Sequence, residues 1–265
     1  TSDEAKARKM CDDASFFNKE AIYYPAKDAI FYSADVHGNQ ITGERLRCIS
    51  RIINHSSTGE GVLTVVTTMD GIADRLIPVE RFKEAVITLD YSSEIEPEKL
   101  AKKLVAMGFV RTGMVEDKGQ FAIRGGIIDI FSYTDEAPVR IELWDTEVDS
   151  IRMFDVESQR SIERLQSYSI FPATEYIFTE DELKNGLYNI KEERDMQLEC
   201  FDYGKRKRTK EQIEAGNNLN KLVADVERTG NYEKFTDTLV ADTVGLAEYF
   251  PEENTLVVLD EPNRL

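Results

Sequence analysis

The sequence predicts an α/β chain interrupted by an antiparallel, β-rich insertion, and three observations carry that expectation. Val62-Leu63-Thr64-Val65-Val66-Thr67-Thr68 is a β-branched run with the composition of a buried parallel strand. Between Gln120 and Phe171 short apolar runs follow one another closely, separated by turn residues. From about Glu175 helical patterns return. The expected division is a partial α/β domain over residues 1–88, a β-rich domain over 89–174, and a second α/β segment over 175–265.

The elements follow in order. Glu4 to Phe17 is predicted helical, and the chain opens as if already in mid-helix. Short strands are expected at Ile22–Tyr24 and Ile30–Tyr32, around Pro25. Thr42 to Asn54 aligns Leu46, Ile49, Ile52 and Ile53 on one helical face. Asp70 can cap a short helix that Pro78 stops. A new texture starts near Ile87, with a helix over Pro97–Met107 closed by Gly108. Strands are predicted at Gln120–Ile123, Ile127–Phe131, Val139–Trp144, Val148–Phe154 and Tyr168–Phe171. Thr179 with Glu182, and Thr209 with Gln212, have capping-box spacing; the second helix carries Ile213, Leu222, Val223 and Val226. Thr255 to Leu259 reads as a last apolar strand, ending in Asp260-Glu261-Pro262. A chain that starts without methionine and stops just after such a strand reads as a piece of a longer protein.

Composition narrows the function. The 265 residues hold 50 acidic against 33 basic side chains, a formal net charge of −17. Nucleic-acid affinity rests largely on Lys and Arg displacing phosphate counterions, so this field opposes it. The basic run Lys205-Arg206-Lys207-Arg208 is short and reads as a solvated helix junction. No apolar run approaches the roughly 20 residues a membrane span needs. The polar start, Thr1 to Asp13, is no signal peptide. Three scattered cysteines (Cys11, Cys48, Cys200) point to neither a disulfide framework nor a thiolate metal site, and fit a reducing cytoplasm.

Catalytic chemistry has weak candidates. Leu259-Asp260-Glu261 after an apolar run has the form of a magnesium-holding strand, but that chemistry also needs a GxxxxGK[ST] phosphate loop. No such loop is present; Gly204-Lys205 is followed by Arg206. His37 and His55 are too few for a triad or a histidine metal site, and His37-Gly38-Asn39 reads as a turn. No cofactor is expected.

A docking surface has a better one. Side chains alternate across a strand. Phe121 and Ile123 then share one face, with Ala122 and Arg124 on the other. Likewise Val139, Ile141 and Leu143 point inward, and Arg140, Glu142 and Trp144 outward. Trp and Arg are the residues most enriched at binding hot spots. The alternative is that the arginines pair with nearby acids and a neighbouring domain covers Trp144. If all three residues point outward, alanine at any of them should leave the fold intact.

Many separate stretches, in order, then carry a resemblance. They are Tyr24-Pro25-Ala26-Lys27-Asp28, Phe31-Tyr32, Ala34-Asp35-Val36-His37, Gly119 to Phe131, Arg140-Ile141-Glu142, Asp149-Ser150-Ile151-Arg152, Phe154-Asp155, Gln159-Arg160-Ser161 and Leu259-Asp260-Glu261-Pro262. Together they resemble the N-terminal, UvrB-like region of the bacterial transcription-repair coupling factors. The resemblance implies a degenerate helicase-like α/β domain without a working nucleotide site, interrupted by a β-rich domain also found in UvrB. It implies recruitment of the repair protein UvrA to a stalled RNA polymerase, with polymerase and DNA engaged through domains absent here. It places UvrA contacts at Arg124, Arg140 and Trp144, the last where the family more usually has phenylalanine. The rival is an active UvrB-like ATPase and damage loader. That reading would need the missing phosphate loop and a tyrosine-rich DNA-gripping hairpin, for which Tyr23 to Thr42 is too short and too poor in tyrosine.

Overall fold

The computed structural model describes residues 1–27, 35–59, 61–202, 209–229 and 242–260. The predicted strand Ile30–Tyr32, the basic run 205–208 and the pair Glu261-Pro262 lie outside them.

Helix α1 (Glu4–Phe17) is capped by Asp3, whose side chain accepts from the Lys6 amide. The opening residues are therefore a capped helix start and not mid-helix. Strand β1 (Ala21–Tyr24) leads to α2 (Asp35–Thr58), which buries Leu46, Ile49, Ile52 and Ile53 as their spacing predicts. This helix begins about two turns earlier than expected and absorbs the supposed turn at His37-Gly38-Asn39. Strand β2 (Thr64–Thr67) runs parallel to β1, with Tyr23 opposite Val66. Val66 is its one fully buried residue, so the strand is less deeply covered than its composition predicts.

The short helix α3 (Met69–Ala73) is capped by Thr68, whose hydroxyl accepts from the Gly71 amide. Asp70 instead occupies the first turn, where its charge favours the helix dipole. Pro78 does not stop this helix: β3 (Arg75–Leu76) intervenes, and Pro78 opens α4 (Val79–Ala85), where a missing amide hydrogen costs nothing.

The β-rich part starts with β4 (Ile87–Asp90) and α5 (Pro97–Ala106). Proline begins α5, and a Schellman closure ends it: Phe109 N donates to Leu104 O and Gly108 N to Val105 O, with Gly108 at φ +88. Then come β5 (Val110–Arg111), β6 (Gln120–Arg124), β7 (Ile127–Phe131), β8 (Val139–Trp144), β9 (Glu147–Phe154), β10 (Ser161–Arg164) and β11 (Ser167–Ile170). Strands β5 to β10 form a six-stranded sheet in simple sequential order, antiparallel except for the β5–β6 pair. Strand β11, predicted at Tyr168–Phe171, joins β4 in a separate ladder. One sheet face is apolar: Phe121, Ile128, Ile130, Ile141 and Ile151 pack with Leu100 and Leu104 of α5.

Residues 178–243 form a second compact unit. Its helices α6 (Glu180–Asp202) and α7 (Lys210–Thr229) open with the predicted reciprocal caps. Thr179 N donates to Glu182 and Glu182 N to Thr179 Oγ1; Thr209 and Gln212 repeat the exchange. Val223 and Val226 are buried, whereas Ile213 is exposed.

The expected strand at Thr255–Leu259 does not form. Leu256, Val257, Val258 and Leu259 are exposed and pair with no strand among the described residues. Apolar, β-branched composition supplies a tendency, but a strand exists only once a partner takes its backbone hydrogen bonds.

Candidate docking face

The second face of the six-stranded sheet is polar, and the predicted site residues lie on it. A row crosses four strands in register: Ala122 opposite Asp129, Asp129 opposite Arg140, Arg140 opposite Arg152. The next row runs Arg124, Ile127, Glu142, Ser150. Alternation therefore sorts these side chains as the sequence predicts: Val139 and Ile141 are buried in the core, Leu143 packs against it, and Trp144 is 79% exposed.

Two tight hairpins present the site. Gly125 and Gly126 join β6 to β7, and Gly125 has φ +61, the left-handed first position that a two-residue connection of the II′ kind requires. Gly126 O accepts from Leu143 N at 2.8 Å, tying this tip to the Trp144 end of β8. Asp145, at φ 59, turns β8 into β9 directly after Trp144; a short polar side chain tolerates that conformation.

The two arginines converge on one acid the sequence reading did not single out. Asp129 is 1% exposed. Arg140 donates to it twice, from Nε to Oδ1 at 2.6 Å and from Nη2 to Oδ2 at 2.8 Å. Arg124 donates once, from Nη2 to Oδ2 at 2.5 Å. Arg140 Nη2 also reaches Gln159 Oε1 at 2.8 Å, and its guanidinium lies 4.3 Å from the centroid of the buried Phe154 ring. Hydrogen bonding to Asp129 raises the Arg140 pKa above the ordinary arginine value. Beside this group, Glu142 accepts from Ser150 Oγ at 2.8 Å and from Arg152.

This arrangement corrects one expectation. The Arg124 side chain is 40% exposed, but that of Arg140 is only 13% exposed. Removing Arg140 would strip a buried carboxylate of its main partner, so it is not a neutral surface change. Pairing of the arginines with an acid, the alternative weighed from the pattern, is what the geometry contains; Trp144 remains uncovered. The signal for Asp129 was its place in an otherwise apolar strand, Ile127-Ile128-Asp129-Ile130-Phe131, where a buried charge needs a partner.

Elsewhere the chemistry is thin. Asp260 is held by Lys6 Nζ at 2.6 Å and by Thr1 Oγ1 at 3.1 Å. Hydrogen bonding to Lys6 holds its carboxyl below the usual range. His55 Nε2 lies 3.3 Å from Gly61 O at the end of α2. Among the described residues no cluster of His, Cys, Asp and Glu could hold a metal, and no helix is long and apolar enough to cross a membrane.

Known proteins bear on the same region. Residues 87–176 match the UvrB interaction domain family. A transcription-repair-coupling factor of Bacillus subtilis (strain 168) is 35% identical over 98% of this chain. Those of Staphylococcus haemolyticus (strain JCSC1435) and Staphylococcus aureus (strain Mu50 / ATCC 700699) are 32% and 31% identical over 94% and 96%. The chain spans only 20–22% of the length of these relatives. Over nearly its whole length the chain is thus similar to about a fifth of the transcription-repair-coupling factors, and its residues 87–176 match the UvrB interaction domain family.

Proposed function

We propose that the chain is a non-catalytic adaptor that recruits UvrA in transcription-coupled nucleotide excision repair, through Arg124, Arg140 and Trp144. The observation that carries this is an uncovered Trp144 beside an arginine pair braced on one face of a UvrB interaction domain. Residues 1–88 and 175–265 carry the two sequence segments of a degenerate helicase-like α/β domain, interrupted by the β-rich residues 89–174. RNA polymerase and DNA are engaged by the parts of the longer relatives that this chain does not span. A cytoplasmic setting suits its three free cysteines. The test is titration of purified UvrA with the parent chain and with Arg124→Ala and Trp144→Ala. Each variant should fold and lose roughly thirtyfold or more in affinity, the scale of a hot-spot anchor. Binding by both at parental strength would place the docking face elsewhere.

The rival, an ATP-driven damage loader, has less support. The sequence lacks a phosphate loop, and Asp260, the residue that would serve magnesium, is neutralised by Lys6. We expect no ATP turnover; hydrolysis by the purified chain that Asp260→Asn abolishes would reinstate the rival. At a net charge of −17 we also expect no sub-micromolar duplex-DNA binding at about 0.15 M salt, where the screening length is about 8 Å.

A further inference from the structure

Within the docking face the two arginines are not equivalent. Arg140 is largely committed: Nε and Nη2 are bound to Asp129, Nη2 also to Gln159, and the guanidinium stacks on Phe154, which leaves only Nη1 without a hydrogen bond to a described residue. Its side chain is 13% exposed, which leaves little for a partner to touch. Arg124 uses Nη2 alone, and its Nε and Nη1 carry no hydrogen bond to a described residue. Its side chain is three times as exposed as that of Arg140, at 40%.

We infer that Arg124 alone of the two touches the partner, offering its remaining donors to a partner carboxylate, and that Asp129 and Arg140 are positioning residues that hold it ready. The inference rests on the docking reading above. Its physical basis is entropy. A free arginine loses side-chain rotamer freedom when pinned. Here Asp129 fixes the guanidinium before the partner arrives, which lowers the ordering cost of binding. Arg140 in turn fixes Asp129, because the carboxylate is buried and takes two of its three guanidinium hydrogen bonds from Arg140. A purely electrostatic account predicts the opposite sign. If Asp129 only cancels positive charge on this face, removing its charge should strengthen attraction to an acidic partner.

The test is a double-mutant cycle on the whole chain, read as UvrA affinity, with melting temperatures taken alongside. The variants are Asp129→Asn, Arg140→Lys and Arg124→Ala, and the first two again in the Arg124→Ala background. Asp129→Asn and Arg140→Lys should each weaken binding by about tenfold in the parent, and by less than about twofold once Arg124 is gone. Arg140→Lys keeps a cation beside Asp129, so it carries the test even if Asp129→Asn does not fold. Affinity for Asp129→Asn equal to or above the parent's overturns the inference. So does an equal loss in both backgrounds, which would mean a general effect on the fold or a direct contact. Parental binding by Arg124→Ala overturns it too, and only if Trp144→Ala also binds at parental strength does the docking reading itself fail.

Discussion

At position 144 an indole stands 79% exposed; at position 140, on the same strand and the same face, a guanidinium is almost enclosed. Alternation along β8 explains why both leave the core, but not how deeply neighbours cover them. Trp144→Ala should therefore change stability by no more than about 0.5 kcal/mol, as surface substitutions do. Arg140→Ala should cost more. Breaking a buried ion pair outright costs roughly 3–5 kcal/mol, and because Arg124 still partly compensates Asp129 we expect about 2 kcal/mol. Ile141, 0% exposed on the opposite face, is the control, at about 2–5 kcal/mol for Ile141→Ala. Urea melts of the three variants rank them. An Arg140→Ala melt equal to that of Trp144→Ala would show that Asp129 is not held as the geometry indicates.

The hairpin that joins β6 to β7 sets where Arg124 and Trp144 stand. A Cβ on Gly126 would lie 2.9 Å from the Leu143 carbonyl oxygen, against backbone that cannot rotate away. Gly126→Ala should push β8 aside, cost about 1–3 kcal/mol, and weaken partner binding although no contact residue has changed. Unchanged melting would mean that the hairpin tip yields easily. At this scale much of the fold was legible. Strands β7 and β8 match their predicted bounds, because each combines alternating or continuous apolar residues with turn residues at both ends. The caps at Thr179 and Thr209 were equally local and equally readable. Strands β5 and β10 were not, since Val110-Arg111 and Ser161 to Arg164 are short or wholly exposed and are strands only through pairing with β6 and β9. Thr255–Leu259 failed the other way, with the composition of a strand and, among the described residues, no partner to make it one. In the site, alternation gave the outward face of Arg124, Arg140 and Trp144. It could not give the convergence on Asp129, which depends on the register of β6, β7 and β8.

Across the larger unit, four stretches far apart in sequence meet at one buried ionic group. Arg45 of α2, 0% exposed, donates to Glu175 from Nε at 2.5 Å and Nη2 at 3.0 Å, to Asp74 at 2.6 Å, and to the Pro25 carbonyl at 2.7 Å. Lys27 adds a second cation, 3.0 Å from Glu175. Glu175 follows β11, so this group fastens the end of the β-rich part to α2 and to the loop between α3 and β3. Burial alone would push the Glu175 carboxyl up, but Arg45 and then Lys27 outweigh it and hold the carboxyl down, to about 2 from an ordinary 4.5. A carboxyl whose folded pKa is depressed stabilises the fold fully above its unfolded value and loses that contribution as pH falls toward its folded one. The window is therefore pH 4.5 down to about 2. A net charge of −17 complicates the raw curve, because protonating other carboxylates first relieves repulsion. The useful quantity is the stability difference between the parent and Glu175→Gln, measured by denaturant melts from pH 7 to pH 2. At neutral pH it should be about 3–5 kcal/mol in the parent's favour, the cost of leaving Arg45 buried without its main partner. It should hold steady down to about pH 4.5 and then shrink as the parent's Glu175 takes up its proton. A difference that stays constant to pH 2, or that widens in acid, would mean that Glu175 is not held ionised by Arg45 and that the two parts are fastened by packing alone.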